Sequence, residues 1–101
     1  AVDYLGREPR FEVVYHLYSL QHNQRVRIKA GVSESECAID SIVSVWICAD
    51  WFEREVFDMY GITFKGHPEL RRILLYEGFE GHPLRKDYPL KKRQPLIGPI
   101  N

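Results

Sequence analysis

Cysteine and methionine are scarce in these 101 residues, with two of the first and one of the second, and no apolar run approaches membrane-spanning length. A bilayer crossing needs roughly 18 consecutive apolar residues, so no transmembrane helix is expected. The first residues, AVDYLGREPRFEV, carry neither a basic start nor an apolar signal core. Cys37 and Cys48 lie eleven positions apart, which is no Cys-x-x-Cys spacing, so the expectation is two buried thiols in a reducing compartment. No cysteine quartet could hold an iron–sulfur cluster, no Gly-x-Gly-x-x-Gly loop could cradle a phosphate, and no serine or cysteine sits in a nucleophile motif. One small domain with a modest core is what this length allows.

Net charge is also absent, yet the charges are segregated. Residues 1–64 hold ten acids against six bases, and residues 65–101 hold eight bases against four acids. A basic tail beside an acidic body either lies on that body or meets an acidic or phosphate-bearing partner. The basic excess is too small to support nucleic-acid binding strongly.

What is present reads as an α+β fold. RFEVVYHLYSL is dense in β-branched and aromatic residues, and RVRIKAG alternates Val26, Ile28 and Ala30 with Arg25, Arg27 and Lys29. With polar QHNQ between them the pair is expected to form an antiparallel hairpin, Val26 and Ile28 facing inward and the cations outward. The first strand is apolar on both faces, which suits a central or doubly covered position. Two short helices should pack on it. The first is capped by Asp40 and carries Ile42, Val45, Trp46 and Ala49 on one stripe. The second begins with a capping box of Asp50 and Glu53, carries Phe52, Val56, Met59 and Tyr60, and ends at Gly61. The body thus spans residues 1–64. Residues 65–101, broken by Pro68, Pro83, Pro89, Pro95 and Pro99, read as an extended arm without a core of its own, free to exchange amide protons until it finds a surface.

Three groupings could carry chemistry. Glu55 and Asp58 share a helix face and could act as an acid–base pair, but Arg54 is placed to pair with Asp58, which favours a structural cluster. His67 and His82 each stand in a Gly-His-Pro, where glycine permits a bend and proline fixes the backbone beyond it, so the ring is held at a turn to donate hydrogen bonds or stack. Neither has a second ligand at metal-binding spacing, so no metal is expected. Arg71, Arg72, Arg85 and Lys86 would suit pairing with carboxylates of a protein partner.

Taken in order, Glu53-Arg54-Glu55, Asp58, Gly61, Gly66-His67-Pro68, Leu70, Arg71-Arg72-Ile73-Leu74, Gly81-His82-Pro83 and Arg85-Lys86-Asp87 resemble the signature region of the 30-kDa subunit family of respiratory complex I, the C subunits of proton-pumping NADH:quinone oxidoreductase. The likeness extends upstream through AVDYLGREPRFEVVYHLYSL, and the chain reads as the later part of a larger family domain. The resemblance implies a scaffold subunit with no catalytic, metal or cofactor site of its own. Its motif residues would meet a quinone-site subunit of the D type and iron–sulfur subunits. FMN, iron–sulfur clusters and quinone would belong to the rest of the complex. It further implies a peripheral position on the cytoplasmic side of a bacterial inner membrane, or the matrix side in mitochondria, with membrane contact only through the complex. Membrane-bound hydrogenases and formate hydrogenlyases contain related subunits and supply the alternative setting.

Overall fold

A computed structural model describes residues 1–76 and 78–89. Lys91, Lys92, Arg93, Pro95 and Pro99 of the expected arm lie outside the described residues. Strands β1 (Val2–Asp3), β2 (Phe11–Ser19) and β3 (Gln24–Val32) form one antiparallel sheet in the order β1-β2-β3. The β2–β3 hairpin pairs Phe11 with Val32 at its base and Ser19 with Gln24 at its tip. Its turn, Leu20 to Asn23, closes with Asn23 at φ 46°, a conformation asparagine tolerates better than most residues. The expected hairpin is present, and β2 is central in its sheet.

A second unit follows. Strand β4 (Ala38–Asp40) leads through turns into helix α1 (Ala49–Tyr60) and back into β5 (Thr63–Lys65), which pairs with β4 in parallel. Parallel neighbours require such a crossover, and the helix supplies it. The core gathers where the two units meet: Phe11, Val13 and Val32 from the sheet against Ile62 and Phe64 from β5 and its approach. Tyr60 meets the Phe11 ring edge-on at 6.5 Å. Among the described residues no helix is long and apolar enough to cross a membrane.

Several expectations need correction. Asp40 caps no helix; it ends β4, and residues 42–48 form separate turns closed by bonds such as Val45 N–H to Ile42 O. Ile42, Val43, Val45 and Ile47 are β-branched, which weakens a helix. Glu53 also takes the Ile42 N–H at 2.9 Å and the Ser41 hydroxyl, so the amide that an Asp40 cap would have bound is already paired. That leaves no capping box: Cys48 is the N-cap of α1 with no side-chain cap bond. A further correction concerns Val26 and Ile28, which share the face of Phe11 and Val13 yet are 53% and 45% exposed. A nine-residue strand runs about 30 Å, whereas a twelve-residue helix runs about 18 Å, so the hairpin tip projects past its cover. Cys37 is half-buried and Cys48 exposed, so Cys48 also departs from the buried thiol expected; both are free.

One buried ion cluster joins the ends of the described chain. Arg10, 2% exposed, donates to both oxygens of Asp3 at 2.8 and 2.9 Å, to Glu34 at 2.9 Å and to Asp87 at 3.0 Å. Asp3 also accepts the Lys86 N–H at 2.7 Å. The Arg10 guanidinium holds the Asp3 carboxyl below its ordinary value, against the opposing effect of burial. Replacing Arg10 with Met should strand a buried carboxylate. We expect a loss of about 3–5 kcal/mol in urea denaturation, and a loss below 1 kcal/mol would remove this cluster from the list of essential contacts.

Candidate functional site

Helix α1 turns a charged face inward: Glu53, Arg54 and Asp58 are buried on it, and Asp58 is wholly so. Such burial is tolerable only with full pairing: Ser41 and Ile42 supply it for Glu53, and residues 71–75 for Arg54 and Asp58. One oxygen of Asp58 accepts Arg72 Nη1 at 2.7 Å. The other accepts three consecutive amides, from Ile73 at 3.2 Å, Leu74 at 2.8 Å and Leu75 at 2.9 Å. This is an anion nest built from backbone, with a side-chain carboxylate as its ion. Burial by itself would push Asp58 up, but the bonds from Leu75, Leu74, Arg72 and Ile73 together outweigh it and hold the carboxyl below its ordinary value.

The histidines clasp the two ends of the helix. Near its start, His67 Nδ1 accepts the Glu69 N–H at 3.0 Å, so that nitrogen is unprotonated and Nε2 carries the hydrogen. Nε2 then donates to the Asp50 carboxylate at 2.8 Å. At the other end, His82 Nδ1 lies 3.1 Å from the Asp58 carbonyl, which can only accept, so here Nδ1 is the donor. Beside it the Leu84 N–H meets Met59 O at 3.1 Å, and Arg85 Nε meets Tyr60 O at 2.6 Å. The last turn of α1 has no basic residue of its own; Arg72 and Arg85 bring cations to its negative end. Burial, with Arg85 and Arg72 close by, keeps His82 below its ordinary value although the Asp58 carbonyl works against this.

Gly61 makes the second clasp possible. It closes the helix at φ 77°, and a Cβ there would come within 2.7 Å of the His82 ring and 2.9 Å of Arg85. Any side chain would therefore meet both backbone strain and a collision.

The remaining motif residues divide into inward and outward sets. Arg54 does not pair with Asp58; it donates to the carbonyls of Arg71 and Arg72 at 3.3 Å each and lies over the Trp51 ring. Arg72 also reaches Phe79 O and Gly81 O, tying the first Gly-His-Pro segment to the second. Leu70 packs against the core, and Pro83 is half-buried. Glu55, Pro68, Arg71, Lys86 and Asp87 are exposed. The clasp itself was not foreseen; its sequence signal was the pairing of two Gly-His-Pro turns with one helix that carries Asp50 near its start and Asp58 near its end.

Glu55 and Asp58 do not converge as an acid–base pair. A cavity of about 680 Å³ between β2 and α1 is lined by Val13, Tyr15, Trp46, Phe52, Val56 and Glu55, without Asp58 or His67. Among the described residues no group of three or more His, Cys, Asp or Glu converges as metal ligands would.

Acid should open this site in two stages. His82 is neutral in the fold and its unfolded form takes a proton first, so stability should begin to fall as pH drops below about 6.5. Asp58 and Asp3 lie below their unfolded values, so their contribution is whole above about pH 4 and is lost as pH falls through the lower folded values. Thermal melts across pH should show both falls, with His82→Gln flattening the first and Asp58→Asn reducing the second to the share of Asp3. A wild-type profile flat from pH 7 to 3 would contradict these assignments.

The family model described as "Respiratory-chain NADH dehydrogenase, 30 Kd subunit" matches residues 1–94. The NADH-quinone oxidoreductase C subunit of Geotalea uraniireducens is 54% identical over 103 residues, covering 100% of this chain and 63% of that protein. Its counterpart in Paramagnetospirillum magneticum is 63% identical over 89 residues, covering 88% of this chain and 44% of that protein. A solved structure described as Nqo5, a trypsin-resistant fragment, aligns with a TM-score of 0.64 at 37% identity over 68% of this chain and 59% of that one. The chain thus spans less than two thirds of the length of these curated relatives. The inward residues from Glu53 to Arg85 are those of the signature recognised in the sequence, and the chain belongs to the family of the 30-kDa subunit of respiratory-chain NADH dehydrogenase.

Proposed function

We propose that this chain is a non-redox scaffold subunit of the peripheral arm of a proton-translocating NADH:quinone oxidoreductase, needed for electron transfer from NADH to quinone because it holds the quinone-site subunit beside the iron–sulfur subunits. Supporting this is the division of the motif: Asp58, Arg72, His67, His82 and Arg85 fix the arm on α1, while Arg71, Lys86 and Pro68 are left facing outward from a backbone that cannot easily move. Preorganised side chains lose little freedom on docking, which is what a structural contact between subunits requires. The relatives are named C subunits of NADH-quinone oxidoreductase, which supports the reading. In this reading FMN, the iron–sulfur clusters and quinone are bound by partner subunits. The chain lies on the cytoplasmic side of the membrane, or the matrix side, and touches it only through them.

Arg71 separates docking from folding. Its side chain is 61% exposed and its ion partner Glu69 is exposed as well, so reversal to Glu should change stability by no more than about 0.5 kcal/mol. In host membranes the Arg71→Glu variant should nevertheless lower the yield of assembled complex, with NADH:quinone activity falling in proportion. His82→Ala, by contrast, should lower the melting temperature of the chain itself. Normal assembly with the Arg71 variant would argue that the outward set is not an interface.

A further inference from the structure

The family motif leaves one charged surface unused. Residues 13–33 include Arg25, Arg27, Lys29, His16 and His22 and not one Asp or Glu. The register sets Lys29 opposite Val14, Arg27 opposite His16 and Arg25 opposite Tyr18, so these side chains share the face of the hairpin away from the core. Alternate residues on a strand stand about 7 Å apart, which makes the three cations a straight row about 13 Å long. Arg25 lies over the Tyr18 ring at 5.2 Å, and Tyr18 is held by a bond from its hydroxyl to Asn23. Arg25 and Arg27 have no carboxylate partner among the described residues. Among those residues Lys29 has only Glu12 at 4.0 Å, and Arg7 already holds Glu12 at 2.7 Å.

We propose that this face is a docking surface for a row of carboxylates on a neighbouring protein subunit. The inference rests on the chain being a subunit of the oxidoreductase. Three features favour protein over a polyanion or a membrane. The formal net charge is zero, so the patch has no overall positive field behind it to favour nucleic acid or anionic lipid. Two of the three cations are arginines, whose planar forks match carboxylates two bonds at a time. The hairpin tip also exposes Val26 and Ile28 on its opposite face. A finger that is apolar on one side and cationic on the other is satisfied on both sides inside a cleft between proteins. A bilayer or a duplex would meet one side and leave the other wet.

The test uses tagged full-length protein recovered with its complex from host membranes. Carbodiimide joins lysine amines to carboxylates in direct contact, so the complex carrying Arg27→Lys is treated alongside wild type and digested for mass spectrometry. Linked peptides joining position 27 or Lys29 to an Asp or Glu of another subunit support the surface. Links only to Glu12, or none, in a complex that retains its iron–sulfur and quinone-site subunits overturn it and leave the scaffold reading standing. Recovery without any oxidoreductase subunit overturns both. As a second readout, Arg25→Glu with Arg27→Glu should reduce recovered complex about tenfold without altering the melting temperature of the chain. Unchanged recovery, or loss of binding to phosphatidylserine vesicles in place of loss of assembly, overturns the proposal.

Discussion

A single buried carboxylate organises the second half of this chain. Asp58 is wholly enclosed, and an ionised group in that position is strongly unfavourable unless every lone pair is occupied. Its two oxygens take one guanidinium and three backbone amides, and those four donors all come from a stretch with no regular secondary structure. The requirement acts in both directions. The helix can bury Asp58 only if residues 72–75 arrive, and that stretch has ordered amides only because Asp58 receives them.

From that point the other contacts follow. Once Ile73 to Leu75 are set, Arg72 spans from Asp58 to the carbonyls of Phe79 and Gly81, which delivers the second Gly-His-Pro to the end of the helix. There His82, Leu84 and Arg85 take the carbonyls that the helix cannot satisfy itself. Asp87 and the Lys86 amide then reach the Arg10–Asp3 pair, so the last described residues of the chain bond to the first. The arm is a strap: it converts loose carbonyls and buried charges into a fixed surface.

The α+β class, the hairpin and the limits of α1 near Gly61 were legible in the sequence, because period, turn residues and an αL glycine act locally. The parallel pair β4–β5 was not, since two three-residue strands carry too little pattern to be seen and exist only because the helix returns the chain to its starting edge. Residues 42–48 showed helical spacing and form turns, one closed by Trp46 N–H to Ile42 O, but Glu53, a tertiary neighbour, took the amide that an Asp40 cap would have bound. For Arg54 and Asp58 the four-residue spacing suggested an ion pair; both instead turned to the arm, where backbone groups offered more bonds than one side chain could. An arm expected to await a surface has one on its own helix between residues 66 and 89.

The enclosed carboxylate can be examined directly through the amides it receives. Native-state hydrogen exchange of the isolated chain at pH 7, followed residue by residue, should show Ile73, Leu74 and Leu75 protected to nearly the same degree as the helix, with protection lost together in Asp58→Asn. Exchange of these three amides at the rate of an unstructured peptide in the wild-type chain would mean that the strap does not hold without its partners, and that Asp58 is not what orders it.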